Sequence, residues 1–140
     1  MYRLKLDFPG KKEHLVFFDD MIMRFLEKSE FEAYKRLHFV LHEAIINSMK
    51  AIEINEDKQR SENIKIEIEV NDNEVNAIVI DWMTGIEDSK ENVINTLKDN
   101  DNVFMESGRG LLMMEHMVDS FTWGKGENGE FCVYVTVKRE

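Results

Sequence analysis

Apolar and polar positions alternate from the start of the chain. Tyr2, Leu4, Leu6 and Phe8 share one side, with Arg3, Lys5 and Asp7 between them. A period of two is that of a strand with one covered face. Pro9-Gly10 then reads as a turn. Over 13–28 the period changes: Leu15, Phe18, Ile22, Phe25 and Leu26 recur at helical spacing and form one apolar stripe. A second, longer helix is predicted from about Phe31 to Asn55, with Leu37, Leu41, Ala44, Ser48 and Ile52 as its main stripe.

Alternation returns with Ile64, Ile66, Ile68 and Val70, and again with Val75, Ala77 and Val79. The cluster Asn71-Asp72-Asn73 between these runs predicts a hairpin whose second strand ends at Asp81. Residues 86–107 are polar and acidic, with a weak helical pattern around Val93, Ile94 and Leu97. A helix is predicted from Arg109 to about Asp119. Two closing strands follow, near 120–124 and 130–138, joined by a turn carrying Gly124, Gly126 and Gly129. The order β-α-α-β-β-α-β-β implies an α+β two-layer sandwich: a mixed, mostly antiparallel sheet covered on one face by helices.

Composition narrows the class. At 140 residues with 43% hydrophobic positions the chain fits one domain, 1–140, able to bury its own core. Its net charge of −10 and lack of a basic stripe argue against nucleic acid as a partner. A lone cysteine, Cys132, cannot close an intrachain disulfide and reads as a small core residue. No apolar run reaches the length of a membrane span, and the charged N-terminus lacks a signal-peptide core. These features predict a cytoplasmic protein with no membrane association.

Three segments carry candidate chemistry. On the second helix, Glu43, Asn47 and Lys50 fall within an arc of about 60°, away from the apolar stripe. A carboxylate, an amide oxygen and an ammonium on one face suit a hard cation shared with phosphates, as Mg²⁺ commonly is. At the end of an apolar strand, Asp81 can accept a hydrogen bond from an exocyclic amine such as that of adenine. Gly85, four residues on, lets the backbone approach a planar ring. Finally Gly108-Arg109-Gly110-Leu111 opens a helix, where free N–H groups and a guanidinium make an anion site. Taken singly, each also reads as ordinary structure: a solvated helix face, an Asp turn, a tight turn.

Together and in this order, the three resemble the GHKL ATP-binding superfamily, which includes histidine kinases, gyrase and the heat-shock and mismatch-repair ATPases. Glu-x-x-x-Asn on a helix, Asp-x-x-x-Gly at a strand end, a variable segment and Gly-x-Gly-Leu at a helix start carry the resemblance over nearly the whole chain. The short free-standing form is most similar to the anti-sigma-factor serine/threonine kinases. That resemblance implies a Bergerat-type fold, ATP and Mg²⁺ as cofactors, and roles residue by residue. Asn47 looks like the Mg²⁺ ligand and Glu43 like the acid that positions or activates the attacking group. Asp81 matches the adenine-amine acceptor, with Gly85 beside the ring. Gly108, Arg109, Gly110 and Leu111 match the segment that wraps the phosphates, and about 86–107 look like the ATP lid.

At two positions the chain departs from that pattern. Met83 stands where the family usually has glycine, and Gly129 is followed by Glu130 where threonine is usual. Both bear on the shape of the adenine pocket. The implied function is an ATP/Mg-dependent serine/threonine protein kinase of a bacterial partner-switching system. Its implied partner is a regulatory protein (a sigma factor or a STAS-type antagonist), and it resembles kinases that pair as homodimers. The alternative is a module that binds ATP, or only a protein, and sequesters its partner without phosphotransfer. A gyrase-like ATPase with mechanical output ranks lowest, since the chain carries no transducer domain. His14, His38, His42 and His116 have no metal-ligand spacing and read as surface or packing residues; Met113, Met114, Met117, Trp82 and Trp123 read as packing residues.

Overall fold

Five strands form one sheet in the order β1-β2-β3-β5-β4, in a computed structural model that describes residues 1–55, 60–84 and 114–139. The strands are β1 (Tyr2–Pro9), β2 (Asn63–Val70), β3 (Glu74–Asp81), β4 (Ser120–Lys125) and β5 (Phe131–Lys138). All four pairings are antiparallel, so the sheet has no parallel component among these residues. Two helices, α1 (Lys12–Lys28) and α2 (Tyr34–Ile54), cover one face. The predicted α+β two-layer architecture is the one observed.

Alternation in the strands explains which face is covered. Ile64, Ile66, Ile68 and Val70 of β2 and Val75, Ala77 and Val79 of β3 are buried under the helices. Lys65, Glu67 and Glu69 point to the open face, where Arg3–Glu69 (2.8 Å) and Lys5–Glu67 (3.7 Å) pair across β1 and β2. The helices meet the sheet through Ile22 and Leu26 of α1 and Leu37, Leu41, Ala44, Ile45 and Ile52 of α2. Each such leucine or isoleucine, fully buried, contributes about 1.5–3 kcal/mol, and Ala44 less. Phe8 of β1 stacks on Phe18 of α1 with centroids 4.0 Å apart, fixing α1 over the edge strand.

The turns are equally specific. After β1, Gly10 sits where any Cβ would meet the Ile52 side chain and the Glu62 carbonyl, and its N–H donates to that carbonyl over 2.9 Å. Helix α1 ends at Ser29, whose hydroxyl donates to the Leu26 carbonyl over 2.6 Å, followed by Glu30 in the left-handed region (φ 57°). Phe31 is buried but precedes α2, which starts at Tyr34 rather than Phe31. In the β2–β3 hairpin the Asn71 side-chain oxygen accepts the N–H groups of Asn73 and Glu74 (2.9 and 2.8 Å). In the β4–β5 hairpin Gly129 takes φ +83°, a conformation natural to glycine.

The helix predicted over Arg109–Asp119 falls largely outside the described residues. Its described end is one 3₁₀ turn, Glu115–Met117, followed by an extended Val118. Strand pairing explains this stop: the Asp119 N–H donates to the Thr136 carbonyl (3.1 Å), and the Asp119 carboxylate accepts the Lys138 N–H (2.8 Å). Met114, Trp123 and Cys132 are buried, as expected of packing residues, and Met117 packs against the core. Among the described residues no helix is long and apolar enough to cross a membrane.

Candidate functional site

Strand β3 delivers Asp81 to the helix-facing layer by simple parity. Val75, Ala77, Val79 and Asp81 all point inward, so the last residue of the strand puts a carboxylate under α2. Asp81 is fully buried (0% exposed). A buried charge needs several donors to offset lost hydration. Its Oδ1 accepts the N–H groups of Met83 (2.9 Å) and Thr84 (2.7 Å), which makes the strand end a tight Asp turn. Its Oδ2 accepts the hydroxyls of Ser48 (2.6 Å) and Thr84 (2.8 Å).

The contact with Ser48 ties the strand end to α2. Ser48 belongs to the buried stripe of that helix, as its spacing predicts, and is 2% exposed. Its hydroxyl nonetheless holds the Asp81 carboxylate, a contact the spacing did not reveal. The signal was available: a hydroxyl in an apolar stripe must find a partner once buried. Asn47, the next residue on the helix, is half-buried. Its Nδ2 is buried with no hydrogen-bond partner among the described residues. Rotating the amide by half a turn exchanges the two atoms, so an oxygen can stand at that orphaned position. Asn47 and Ser48, the partner of Asp81, are consecutive residues of α2, and a buried amide without a partner among the described residues can be completed by a ligand.

Glu43 lies one turn before Asn47 and is half-buried, without a hydrogen bond or ion pair among the described residues. Lys50 is exposed on the same helix. The structure thus joins Asp81 to Ser48 of α2, with Asn47, Glu43 and Lys50 along the same helix. Gly85, Gly108, Arg109, Gly110 and Leu111, and the expected lid over 86–107, lie outside the described residues.

The two departures from the ATP-binding pattern have separate structural roles. Met83 is buried (3% exposed), and its carbonyl accepts the Asn55 side-chain N–H (3.1 Å) at the C-terminal end of α2. Arg60 Nη1 donates to the neighbouring Trp82 carbonyl over 3.2 Å. The turn after Asp81 is therefore held by Asn55 and Arg60, two residues the sequence did not single out. Glu130 instead folds back on the β4–β5 hairpin, where its carboxylate accepts the Asn128 N–H (3.1 Å).

A polar cluster lies between the helices. Asp19 Oδ1 of α1 is 2.7 Å from His42 Nδ1 and 3.0 Å from His38 Nε2 of α2. The His42 contact is a hydrogen bond, whereas His38 is at ion-pair distance without hydrogen-bond alignment. No group of three His, Cys, Asp or Glu side chains among the described residues is arranged to hold a metal ion. A divalent cation here would draw on Asn47 and on the phosphates of a bound ligand, a donor set that suits Mg²⁺.

On the open face Cys132 is buried among β-strand neighbours. Burial pushes its thiol pKa up, opposed by a hydrogen bond with Tyr134 and aided by the charges of Glu130 and Asp81.

A family model described as a histidine kinase-like ATPase domain matches residues 8–137. No curated protein matches the chain.

Proposed function

The chain belongs to the histidine kinase-like ATPase domain family, and on that premise we propose that it is an ATP/Mg-dependent serine/threonine protein kinase regulating a protein partner. Phosphotransfer is proposed from the placement of Glu43, and membership points to ATP as the ligand. One observation carries it: a fully buried carboxylate at the end of β3 joined to the helix that bears an orphaned amide, Asn47. Asp81 supplies an acceptor for the adenine amine, and Asn47 supplies an oxygen for Mg²⁺. Mg²⁺, when bound, neutralises charge on the phosphates.

Glu43 is placed along the same helix, without a structural partner among the described residues. In the proposed reaction it accepts the proton of a serine or threonine hydroxyl on the partner. That hydroxyl oxygen forms a bond to the γ-phosphorus as the bond to the ADP oxygen breaks. The partner class, a sigma factor or STAS-type antagonist in a partner-switching system, follows from the resemblance to anti-sigma-factor kinases, as does pairing into a homodimer.

A second reading is favoured by Met83. A buried methionine in place of the family's glycine fills space beside the Asp turn. In that reading the protein binds nucleotide, or only its partner, and sequesters without phosphotransfer. Calorimetry with ATP and Mg²⁺, followed by incubation of a bound partner with [γ-³²P]ATP, separates the two. Label on the partner that disappears in Glu43→Gln supports the kinase. Nucleotide binding with an unlabelled partner leaves the sequestering module.

A further inference from the structure

Asp81 has no spare acceptor position. A carboxylate accepts at about four lone-pair sites, and four protein donors fill them. Met83 N–H and Thr84 N–H lie on Oδ1, and the Ser48 and Thr84 hydroxyls lie on Oδ2. A base amine docking on this carboxylate must therefore take the place of one donor.

The four are not equally free to leave. The two backbone N–H groups are the turn itself, and the turn is pinned from outside through Asn55 on the Met83 carbonyl and Arg60 on the Trp82 carbonyl. Ser48 is fixed on a packed helix and almost fully buried. Thr84 is half-buried, and rotation about its χ1 alone withdraws the hydroxyl while its N–H stays on Oδ1.

We infer that the Thr84 hydroxyl is a built-in occupant of the Asp81 acceptor position that an adenine amine uses, and so sets how tightly this chain holds nucleotide. The inference rests on the ATP-binding reading above. Binding exchanges one charge-assisted hydrogen bond for another, so part of the amine's contribution is offset before the ligand arrives. Removing the hydroxyl leaves an acceptor vacant in the free protein, and the amine then fills it without competition. Guanine gains nothing, because it presents a carbonyl oxygen where adenine presents its amine.

The test is calorimetric titration of the full chain, Thr84→Val, Thr84→Ala and Thr84→Ser with ATP, adenosine and GTP. Circular dichroism checks that each variant is folded. Thr84→Val is expected to bind ATP and adenosine about tenfold more tightly than the parent, with GTP unchanged. Thr84→Ala, used if valine does not fold, is expected to tighten binding in the same direction by less than tenfold, because water can reach the vacated acceptor. Thr84→Ser keeps the hydroxyl and should match the parent. Equal or weaker adenosine binding by the folded Val or Ala variant, with the parent binding ATP, overturns the Thr84 inference alone. If neither the parent nor any variant binds nucleotide, the ATP-binding reading itself fails and the inference falls with it.

Discussion

Ser48 of α2 and Asp81 of β3 are joined by a 2.6 Å hydrogen bond between two side chains that are both almost sealed from solvent. This contact couples helix position to the strand end. It makes one serine responsible for both packing and the site. Ser48→Ala removes a donor from a buried carboxylate, a change that costs about 1.5–3 kcal/mol, with a few tenths returned by the better helix propensity of alanine. Urea unfolding should therefore show a net loss of roughly 1–2.5 kcal/mol.

Asp81→Asn tests acceptor chemistry without changing shape. An amide placed with its nitrogen at the Oδ2 position donates to the Ser48 and Thr84 hydroxyls, which can reverse to become acceptors. The variant is expected to fold, with circular dichroism like the parent, yet to lose ATP binding by calorimetry. A variant that binds ATP as the parent does would remove Asp81 from the nucleotide site.

Asp19 ties α1 to α2 through His42, with His38 close by. Asp19→Ala leaves both imidazoles facing a gap between the helices. Thermal unfolding should report a loss of about 1–2 kcal/mol. If the melting temperature is unchanged, the cluster is not a tie between the helices.

Glu30 holds a left-handed backbone conformation at the end of α1. An L side chain with a Cβ disfavours this region by about 1–2 kcal/mol relative to glycine, which is partly offset by the greater unfolded-chain entropy of glycine. Glu30→Gly is expected to raise unfolding free energy by about 0.5–1 kcal/mol in urea titration. Unchanged or lower stability would contradict the strain assigned to Glu30.

Cys132 has its thiol pKa raised, chiefly by burial. A raised folded-state pKa means that the folded chain holds this proton more tightly than the unfolded chain. Its contribution to stability is full below the unfolded thiol value and is lost as pH rises through the folded value. Iodoacetamide at pH 8 should modify the folded protein far more slowly than the urea-unfolded one. Stability should also fall less steeply at alkaline pH in Cys132→Ala than in the parent.

Hydrophobic periodicity places β1, β2, β3, α1 and α2 among the described residues, because each buries one regular face. It also placed Ser48 on the buried stripe. Periodicity says which face is covered, however, and not what lies across from it. The bond to Asp81 depends on how α2 sits over the end of β3, which no local pattern encodes. The inward position of Asp81 at the end of β3 and the place of Asn47 beside the stripe of α2 follow from strand parity and helical spacing. The roles of Thr84, Asn55 and Arg60 do not, since they depend on turn geometry and on contacts between residues far apart in sequence. Helix α2 starts three residues later than the expected Phe31, which lies off the Leu37–Ile52 stripe and is buried from the turn that follows Glu30.

The strand order carries a consequence for how the chain reaches its native state. Two hairpins are local, β2 with β3 and β4 with β5, and each can close within microseconds. The seam between β3 and β5, where Val79 faces Val133 and Asp81 faces Phe131, joins residues far apart along the chain. Such non-local pairing is the slow part of assembly. Until β5 pairs, the edge of β3 that ends in Asp81 has no strand beside it on that side.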